Sequence, residues 1–225
     1  MTIRFLTFDC YGTLIDWKRG IETNFRECFL SDATQHIFDK YVSLEAQEEG
    51  GSNVYKSYKQ VLEETSTKLA RNLGLSASER SGKRFSESIT KWPAFPDTAA
   101  TLRSLGRLGL HRTILSNIDR VLLAGTISNN GLEVDDFITA QDVRSYKPNK
   151  EHWLEFFRKT GAKKQDVIHV ANSVYHDIVP ANALGIRTIW VNRYGENVPS
   201  NTEPNFTITN LSELIGVLET HQLLE

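Results

Sequence analysis

The feature that most constrains the fold is an apolar run near the amino terminus, Ile3 to Phe8, which stops at Asp9. A nearly continuous apolar run is typical of a strand covered on both faces, as in a parallel sheet. A carboxylate at the carboxyl end of such a strand lies where open α/β sheets bind their ligands. The alternative is that Asp9 only stabilises the turn before Gly12, which is a common structural role for aspartate. This stretch alone favours neither interpretation.

The remainder of the chain divides into two kinds of pattern. Residues 17–92 show helical spacing, with a break from Gly50 to Asn53, and this block is too long for an ordinary βα connection. It predicts a helical cap inserted over the sheet. Beyond it, helices alternate with short apolar strands expected at residues 111–115, 136–139, 167–171, 186–191 and 206–208. The alternation predicts an α/β fold with a doubly wound, Rossmann-like parallel sheet, built from a core of 1–16 and 93–225 and a cap of 17–92.

Charge and composition exclude several classes of partner. The formal net charge is -2 and no long block of lysine or arginine occurs, so nucleic acid and anionic membrane surfaces are not expected partners. No apolar run approaches the length of a membrane span. Cys10 and Cys28 are too few for a disulfide framework, and no secretory leader is evident. We therefore expect a cytoplasmic protein that acts on a small molecule.

Polar side chains follow three of the predicted strands, where each strand ends. They are Asp9 after the first, Ser116 and Asn117 after the second, and Asn172 and Ser173, followed by Asp177, after a later one. Lys147, just before Pro148 and a predicted helix, is expected near the same edge. Each residue has an ordinary explanation as a loop or surface polar group, but parallel strands bring their carboxyl ends together. The coincidence predicts a site.

The residue types indicate nucleophilic catalysis by a carboxylate. Asp9 can attack an electrophilic carbon or phosphorus and form an ester or anhydride, which water must then cleave. Asp177 can hold or deprotonate that water. Lys147 would offset the charge of both carboxylates and lower the pKa of Asp9, as an adjacent cation does.

Four motifs together resemble the haloacid dehalogenase superfamily: DxxGT from Asp9, Ser-Asn at Ser116, Lys-Pro at Lys147, and NSxxxD ending at Asp177. Metal-dependent phosphatases of that superfamily have a second aspartate where this chain has Tyr11, and an acid where it has Asn172. Both differences remove carboxylates that magnesium would use. The DxYGTL form instead resembles the L-2-haloacid dehalogenases (type II), which are metal-free hydrolases of short 2-halogenated carboxylic acids.

This resemblance implies a role for each site residue. Asp9 would displace halide from C2, and water would hydrolyse the resulting ester with Asp177 handling the water and Lys147 beside the nucleophile. Thr13 would support the nucleophile. Substrate contacts are expected from Tyr11, Ser116, Asn117, Asn172, Ser173 and Trp153. No metal or other cofactor is expected, and a homodimer is suggested.

The chain also departs from the family pattern. The cap arginine that helps hold halide in the family falls near Asp39 or Lys40, where no arginine stands. Trp153 replaces a tyrosine, so it can wall an apolar pocket but cannot donate a phenolic hydrogen bond. His176 is expected to cap or pack. Two other functions stay open: a magnesium-dependent phosphatase that tolerates Tyr11 and Asn172, and a non-catalytic ligand-binding protein.

Overall fold

A computed structural model of the protein describes residues 2–30, 36–50, 55–197 and 203–224, without the side chains of residues 49 and 50. Six strands form one sheet in the order β3-β2-β1-β4-β5-β6, and every neighbouring pair is parallel. The strands are β1 Phe5–Phe8, β2 His111–Ser116, β3 Asp136–Thr139, β4 Val167–Ala171, β5 Arg187–Val191 and β6 Phe206–Ile208. The predicted parallel sheet with flanking helices is confirmed.

β1 is the central strand that the apolar run predicted. Leu6, Thr7 and Phe8 are all fully buried, because β1 is paired on both sides and helices cover the sheet. Phe8 lies opposite Ile114 of β2 and Val170 of β4. The carboxyl ends of these three strands are therefore level, which brings the residues that follow them to one edge.

Helices of the core alternate with the strands. They are α5 Thr98–Arg107, α6 Arg120–Asn130, α7 Ala140–Val143, α8 Glu151–Thr160, α9 Val179–Ala183 and α10 Leu214–Thr220. Several end at glycines in the left-handed conformation, as α8 does at Gly161. Between β4 and α9 the chain forms a π-helical turn, Val174–Ile178, which contains Asp177. Such turns are frequent at functional sites.

Four helices separate β1 from the rest of the core: α1 Trp17–Phe29, α2 Ile37–Gly50, α3 Tyr58–Asn72 and α4 Glu79–Ser88. Local capping explains several of their starts, since Asp16 caps α1 and Ser57 forms a reciprocal capping box with Gln60 at α3. The expected break begins after α2, because Gly50 is its last residue, and Gly51 to Asn53 lie outside the described residues.

These four helices and the sheet share one hydrophobic cluster. Ile21 and Phe25 of α1 and Phe85 of α4 belong to the same buried group as Phe8 and Ile114 of the sheet. The helices thus lie against the core. The division into a core of 1–16 and 93–225 and a cap of 17–92 stays a prediction. Within the described chain, every helix is too short or too polar to cross a lipid bilayer.

Candidate active site

The turn after β1 fixes the carboxylate of Asp9. The Thr13 hydroxyl donates to Asp9 Oδ2 at 2.8 Å, and Thr13 Oγ1 accepts the backbone N–H of Asn172 at 2.9 Å. Gly12 has a φ of 94°, a conformation that side-chain-bearing residues rarely adopt. A Cβ there would also lie 3.4 Å from Asn172 Oδ1. Thr13 therefore links the nucleophile candidate to the end of β4.

Lys147 lies between the two carboxylates of the site. Its Nζ donates to Asp9 Oδ1 at 2.9 Å, to Asp177 Oδ1 at 2.7 Å and to the carbonyl of Leu115 at 2.9 Å. Only 2% of the side chain is exposed. Asn117 holds the backbone of this lysine, because Lys147 N–H donates to Asn117 Oδ1 at 2.7 Å and Asn117 Nδ2 donates to the Lys147 carbonyl at 3.1 Å. The ammonium therefore has all three donors occupied.

Asp177 is oriented from the side of the sheet by a histidine that the sequence analysis did not identify. His169 Nε2 lies 2.9 Å from Asp177 Oδ1, and His169 Nδ1 lies 2.9 Å from the hydroxyl of Thr7. Both residues are fully buried. Asp177 Oδ2 has no hydrogen-bond partner among the described residues. The only sequence signal for this contact was a polar residue in each of two otherwise apolar strands.

Burial and nearby charges shift the pKa values of the two carboxylates in opposite directions. Burial raises the pKa of Asp9, the Lys147 ammonium opposes this, and the negative charge of Asp177 adds to it. Burial also acts to raise the pKa of Asp177, but Lys147 and His169 outweigh it and hold that pKa well below its usual range. Lys147 therefore lowers the pKa of Asp9, as predicted, but burial is the larger effect and leaves that pKa above its ordinary value.

A cavity of about 380 Å³ opens beside these groups, between the sheet edge and the helices α1, α2 and α3. Eight predicted site residues line it: Asp9, Tyr11, Ser116, Asn117, Lys147, Asn172, Ser173 and Asp177. Thr13 lies behind Asp9 and contacts it directly. The opposite wall comes from Trp17, Phe38 and Tyr58 of the inserted helices. The sheet edge therefore assembles the predicted residues, and the inserted helices close the space above them.

Several of these side chains use their polar atoms within the protein. The Tyr11 hydroxyl lies 2.7 Å from Thr126 Oγ1, so Tyr11 presents its ring to the cavity. Asn172 Nδ2 donates to the carbonyl of Val191 at 2.8 Å. Ser173 Oγ accepts the backbone N–H of His176 at 3.1 Å, and the same oxygen lies 3.1 Å from Nδ1 of the His176 ring. Burial lowers the pKa of His176, which also lines the cavity.

Trp153 does not line the cavity, and its prediction as a substrate contact is corrected. The side chain is fully buried on α8, in an apolar cluster with Leu115 and Phe156. Its ring packs edge-on against His169, with 5.2 Å between the ring centroids. Trp153 is away from the cavity because α8 packs against the sheet and not over its edge. Its ring instead supports His169, the histidine that contacts Asp177.

The cap side of the cavity carries a buried carboxyl group. Glu45 of α2 lines the cavity and is buried, and Tyr58 donates its hydroxyl to Glu45 Oε1 at 2.7 Å. Burial raises the pKa of Glu45 to about 7, against the effect of the Tyr58 and Tyr41 hydroxyls. Asp39 and Lys40 are exposed and lie outside the cavity lining. Among the described residues, no arginine lines the cavity.

The space between Asp9 and Asp177 is filled by a protein cation. In the part of the chain that the structure describes, no three His, Cys, Asp or Glu side chains come together as a possible metal site. Tyr11 and Asn172 stand where the metal-dependent pattern has acids, and the amide of Asn172 is turned to the Val191 carbonyl. These donors do not make the anionic oxygen set that magnesium prefers.

A parallel sheet with a carboxylate, a lysine and a second carboxylate at its carboxyl edge fits the haloacid dehalogenase-like hydrolases. The chain belongs to this family, because the family model of that description matches residues 3–185. It is therefore a hydrolase.

The similar proteins include several named dehalogenases. Haloacetate dehalogenase H-2 of Moraxella sp. (strain B) is 23% identical over 96% of this chain and 98% of its own length. The (S)-2-haloacid dehalogenase of Pseudomonas sp. (strain YL) is 25% identical over 97% of this chain and 95% of its own. The structure of L-2-haloacid dehalogenase from Xanthobacter autotrophicus with chloropropionic acid covalently bound superposes with a TM-score of 0.83, at 20% identity, over 97% of this chain and 99% of that one.

Proposed function

We propose that the protein is a metal-independent hydrolase of the 2-haloacid dehalogenase type, acting on short 2-halocarboxylic acids. The observation that carries the proposal is the position of Lys147, whose ammonium bonds to both Asp9 and Asp177 beside the cavity. The names of the relatives, haloacetate dehalogenase and (S)-2-haloacid dehalogenase, support the same substrate class.

The first step is a displacement at carbon. A carboxylate oxygen of Asp9 attacks C2 of the substrate, the carbon–halogen bond breaks, and the halide leaves with the bonding electron pair. The product is an ester between Asp9 and the 2-carbon of the acid. Thr13 and Lys147 each bond one oxygen of Asp9, so they hold the carboxylate in a fixed orientation for the attack.

The second step is hydrolysis of that ester. Water attacks the carbonyl carbon of Asp9, and the 2-hydroxy acid leaves with the oxygen that had belonged to Asp9. Asp177 accepts a proton of the water through Oδ2, the oxygen without a partner among the described residues, while Oδ1 stays bonded to Lys147 and His169. Asp177 then returns this proton to the departing 2-hydroxyl oxygen, and the other proton of the water is lost to solvent as the Asp9 carboxylate re-forms. Lys147 balances the charge of whichever carboxylate is ionised in each step.

The other predicted contacts have narrower roles in this proposal. The Ser116 hydroxyl is the group offered to the substrate carboxylate, since both ends of the Asn117 amide are bonded to the backbone of Lys147. Asn117 therefore acts through Lys147 as a positioning residue, and the backbone N–H of Asn172 positions Thr13. The Tyr11 ring and the chain at Ser173 form apolar and polar parts of the wall.

Removing metal tests the proposal against the phosphatase alternative. We expect purified protein to release halide and lactate from L-2-chloropropionate at the same rate with EDTA as with added Mg²⁺, because Lys147 already supplies the cation between the carboxylates. Halide is measured by ion chromatography. Hydrolysis of a phosphate-ester panel that disappears with EDTA, with no halide release from any short 2-haloacid, would contradict it.

Asp177→Asn separates the two chemical steps. We expect the variant to form the ester on Asp9 but to hydrolyse it slowly, since the amide cannot take a proton from water. Intact-protein mass spectrometry after mixing with L-2-chloropropionate should show the added mass of the acid without halogen. The matched control is Asp136→Asn, whose carboxylate pairs with Lys159 outside the cavity. No ester in the Asp177 variant, with normal folding, argues against this role.

We further propose a cytoplasmic location and a homodimer that forms through the cap. The location is supported by two cysteines, Cys10 and Cys28, that are both free thiols and buried. Sedimentation at several protein concentrations tests the dimer.

A further inference from the structure

Glu45 has no part in the reaction above, although its carboxyl group faces the same cavity. The residue is 6% exposed and lines the same cavity as Trp17 and Phe38. A buried carboxyl group is unfavourable unless it is paired and hydrogen-bonded. In the described chain its partners are tyrosine hydroxyls, and no lysine or arginine forms an ion pair with it. Burial therefore favours the neutral acid, and a cation on a bound ligand would favour the carboxylate.

The charges around the cavity favour a positive group at this position. Lys147 is the one lysine among the described lining residues, and it is already shared by Asp9 and Asp177. Glu196 adds a further carboxylate at the exposed rim. No free lysine or arginine among the described lining residues is thus available to pair with Glu45 or with Glu196.

The aromatic residues that line the same cavity are also suited to binding an organic cation. Trp17, Phe38 and Tyr58 supply aromatic rings to the same wall. Aromatic rings attract ammonium groups, and a carboxylate strengthens this by a charge-assisted hydrogen bond. The cavity of about 380 Å³ has room for a chain that reaches beyond the reacting carbon.

We propose that Glu45 binds a positively charged nitrogen of the substrate, so that the preferred substrates are 2-halocarboxylic acids with a protonated amine farther along the carbon chain. This inference rests on the proposed function for the reacting end of the substrate, whose carboxylate and C2 lie at Ser116 and Asp9. The amine of the substrate lies at the cap.

Matched substrates isolate the charge of the amine. The pairs are 6-amino-2-chlorohexanoate with 2-chloroheptanoate, and 4-amino-2-chlorobutanoate with 2-chloropentanoate, in which a methyl group replaces the ammonium. We expect kcat/KM for halide release to favour the amine in at least one pair by about tenfold or more, as for a hydrogen bond to a charged group. Glu45→Gln should remove this preference within each pair, because the amide carries no charge to pair with the ammonium.

Glu48→Gln is the matched control, because Glu48 lies on the same helix but pairs with Lys56 and Lys68 outside the cavity. This variant should keep the preference. Glu45→Asp keeps the charge and should retain part of it. Equal kcat/KM values within both pairs for the wild-type protein would overturn the inference, and this test needs no variant. An amine preference that survives in Glu45→Gln would also overturn it.

A binding measurement keeps this inference separate from the proposed reaction. Calorimetric titration with 6-aminohexanoate and with heptanoate, which contain no halogen, should show tighter binding of the amine by wild-type protein and its loss in Glu45→Gln. If the amine preference is present but no haloacid releases halide, the proposed function fails and the role of Glu45 stands. If halide is released but the amine is not preferred, the role of Glu45 fails alone.

Discussion

Asp9→Asn should lower kcat/KM for halide release from L-2-chloropropionate by at least about a thousandfold, as loss of a covalent nucleophile does. The amide has nearly the same shape as the carboxylate, and it can still contact Thr13 and Lys147. The loss would therefore report on nucleophilicity more than on packing. Initial rates of halide release measure it directly.

Asp39→Asn is the control for this variant, because the Asp39 side chain is 73% exposed and lies outside the cavity lining. It should keep wild-type activity. Substantial halide release by a folded Asp9→Asn protein would mean that water, and not Asp9, attacks the substrate.

Lys147→Met should damage both activity and stability. It leaves Asp9 and Asp177 buried without their shared cation, and removing one partner of a buried ion pair costs about 3–5 kcal/mol of unfolding free energy. We expect kcat/KM to fall by at least about a hundredfold, because Asp9 loses its ionised form and its orientation together. Urea unfolding and halide release measure the two effects.

The pH dependence of this variant follows from the signs of the pKa shifts. In the wild-type protein the pKa of Asp9 is raised by burial and lowered by Lys147, so activity should fall with acidification through a pKa above the ordinary aspartate value. Without Lys147 that pKa rises further, and the acid limb of kcat/KM moves to higher pH. A carboxylate with a raised folded-state pKa loses stability as pH rises, so the variant should be destabilised more at pH 7 than at pH 5.

Lys159→Met provides the comparison, since Lys159 forms its ion pair with Asp136 at the surface. Exposed pairs contribute about 0–1 kcal/mol, so this variant should unfold almost as the wild-type protein does. An Lys147→Met protein with an unchanged acid limb would show that Lys147 does not govern the ionisation of Asp9.

The position of the site residues at the ends of strands could be predicted from the sequence. Asp9, Ser116 and Asn172 meet because parallel strands in register bring their carboxyl ends to one edge, and the strands were visible as apolar runs. Lys147 could be placed near them from its position before Pro148 and a helix.

Residues on helices and within strands were harder to place. Periodicity separates buried from exposed positions, but it does not say which buried face meets a cavity. Trp153 was expected in the cavity wall and is instead packed against His169. Glu45 resembles the other charged residues of α2 until tertiary packing turns it towards the cavity. The net direction of the Asp9 pKa shift could not be predicted, because the charge of Lys147 is visible in the sequence and the extent of burial is not.

An isotope measurement distinguishes an ester between Asp9 and the substrate from direct attack of water on C2. A single turnover of L-2-chloropropionate in H₂¹⁸O, with the enzyme in excess, should place ¹⁸O in the carboxylate of Asp9 and leave the new hydroxyl of lactate unlabelled. Mass spectrometry of the peptide containing Asp9 and of the product reads both. Lactate that carries ¹⁸O after the first turnover, with no label in that peptide, would show that water attacks C2 directly and that Asp9 forms no ester.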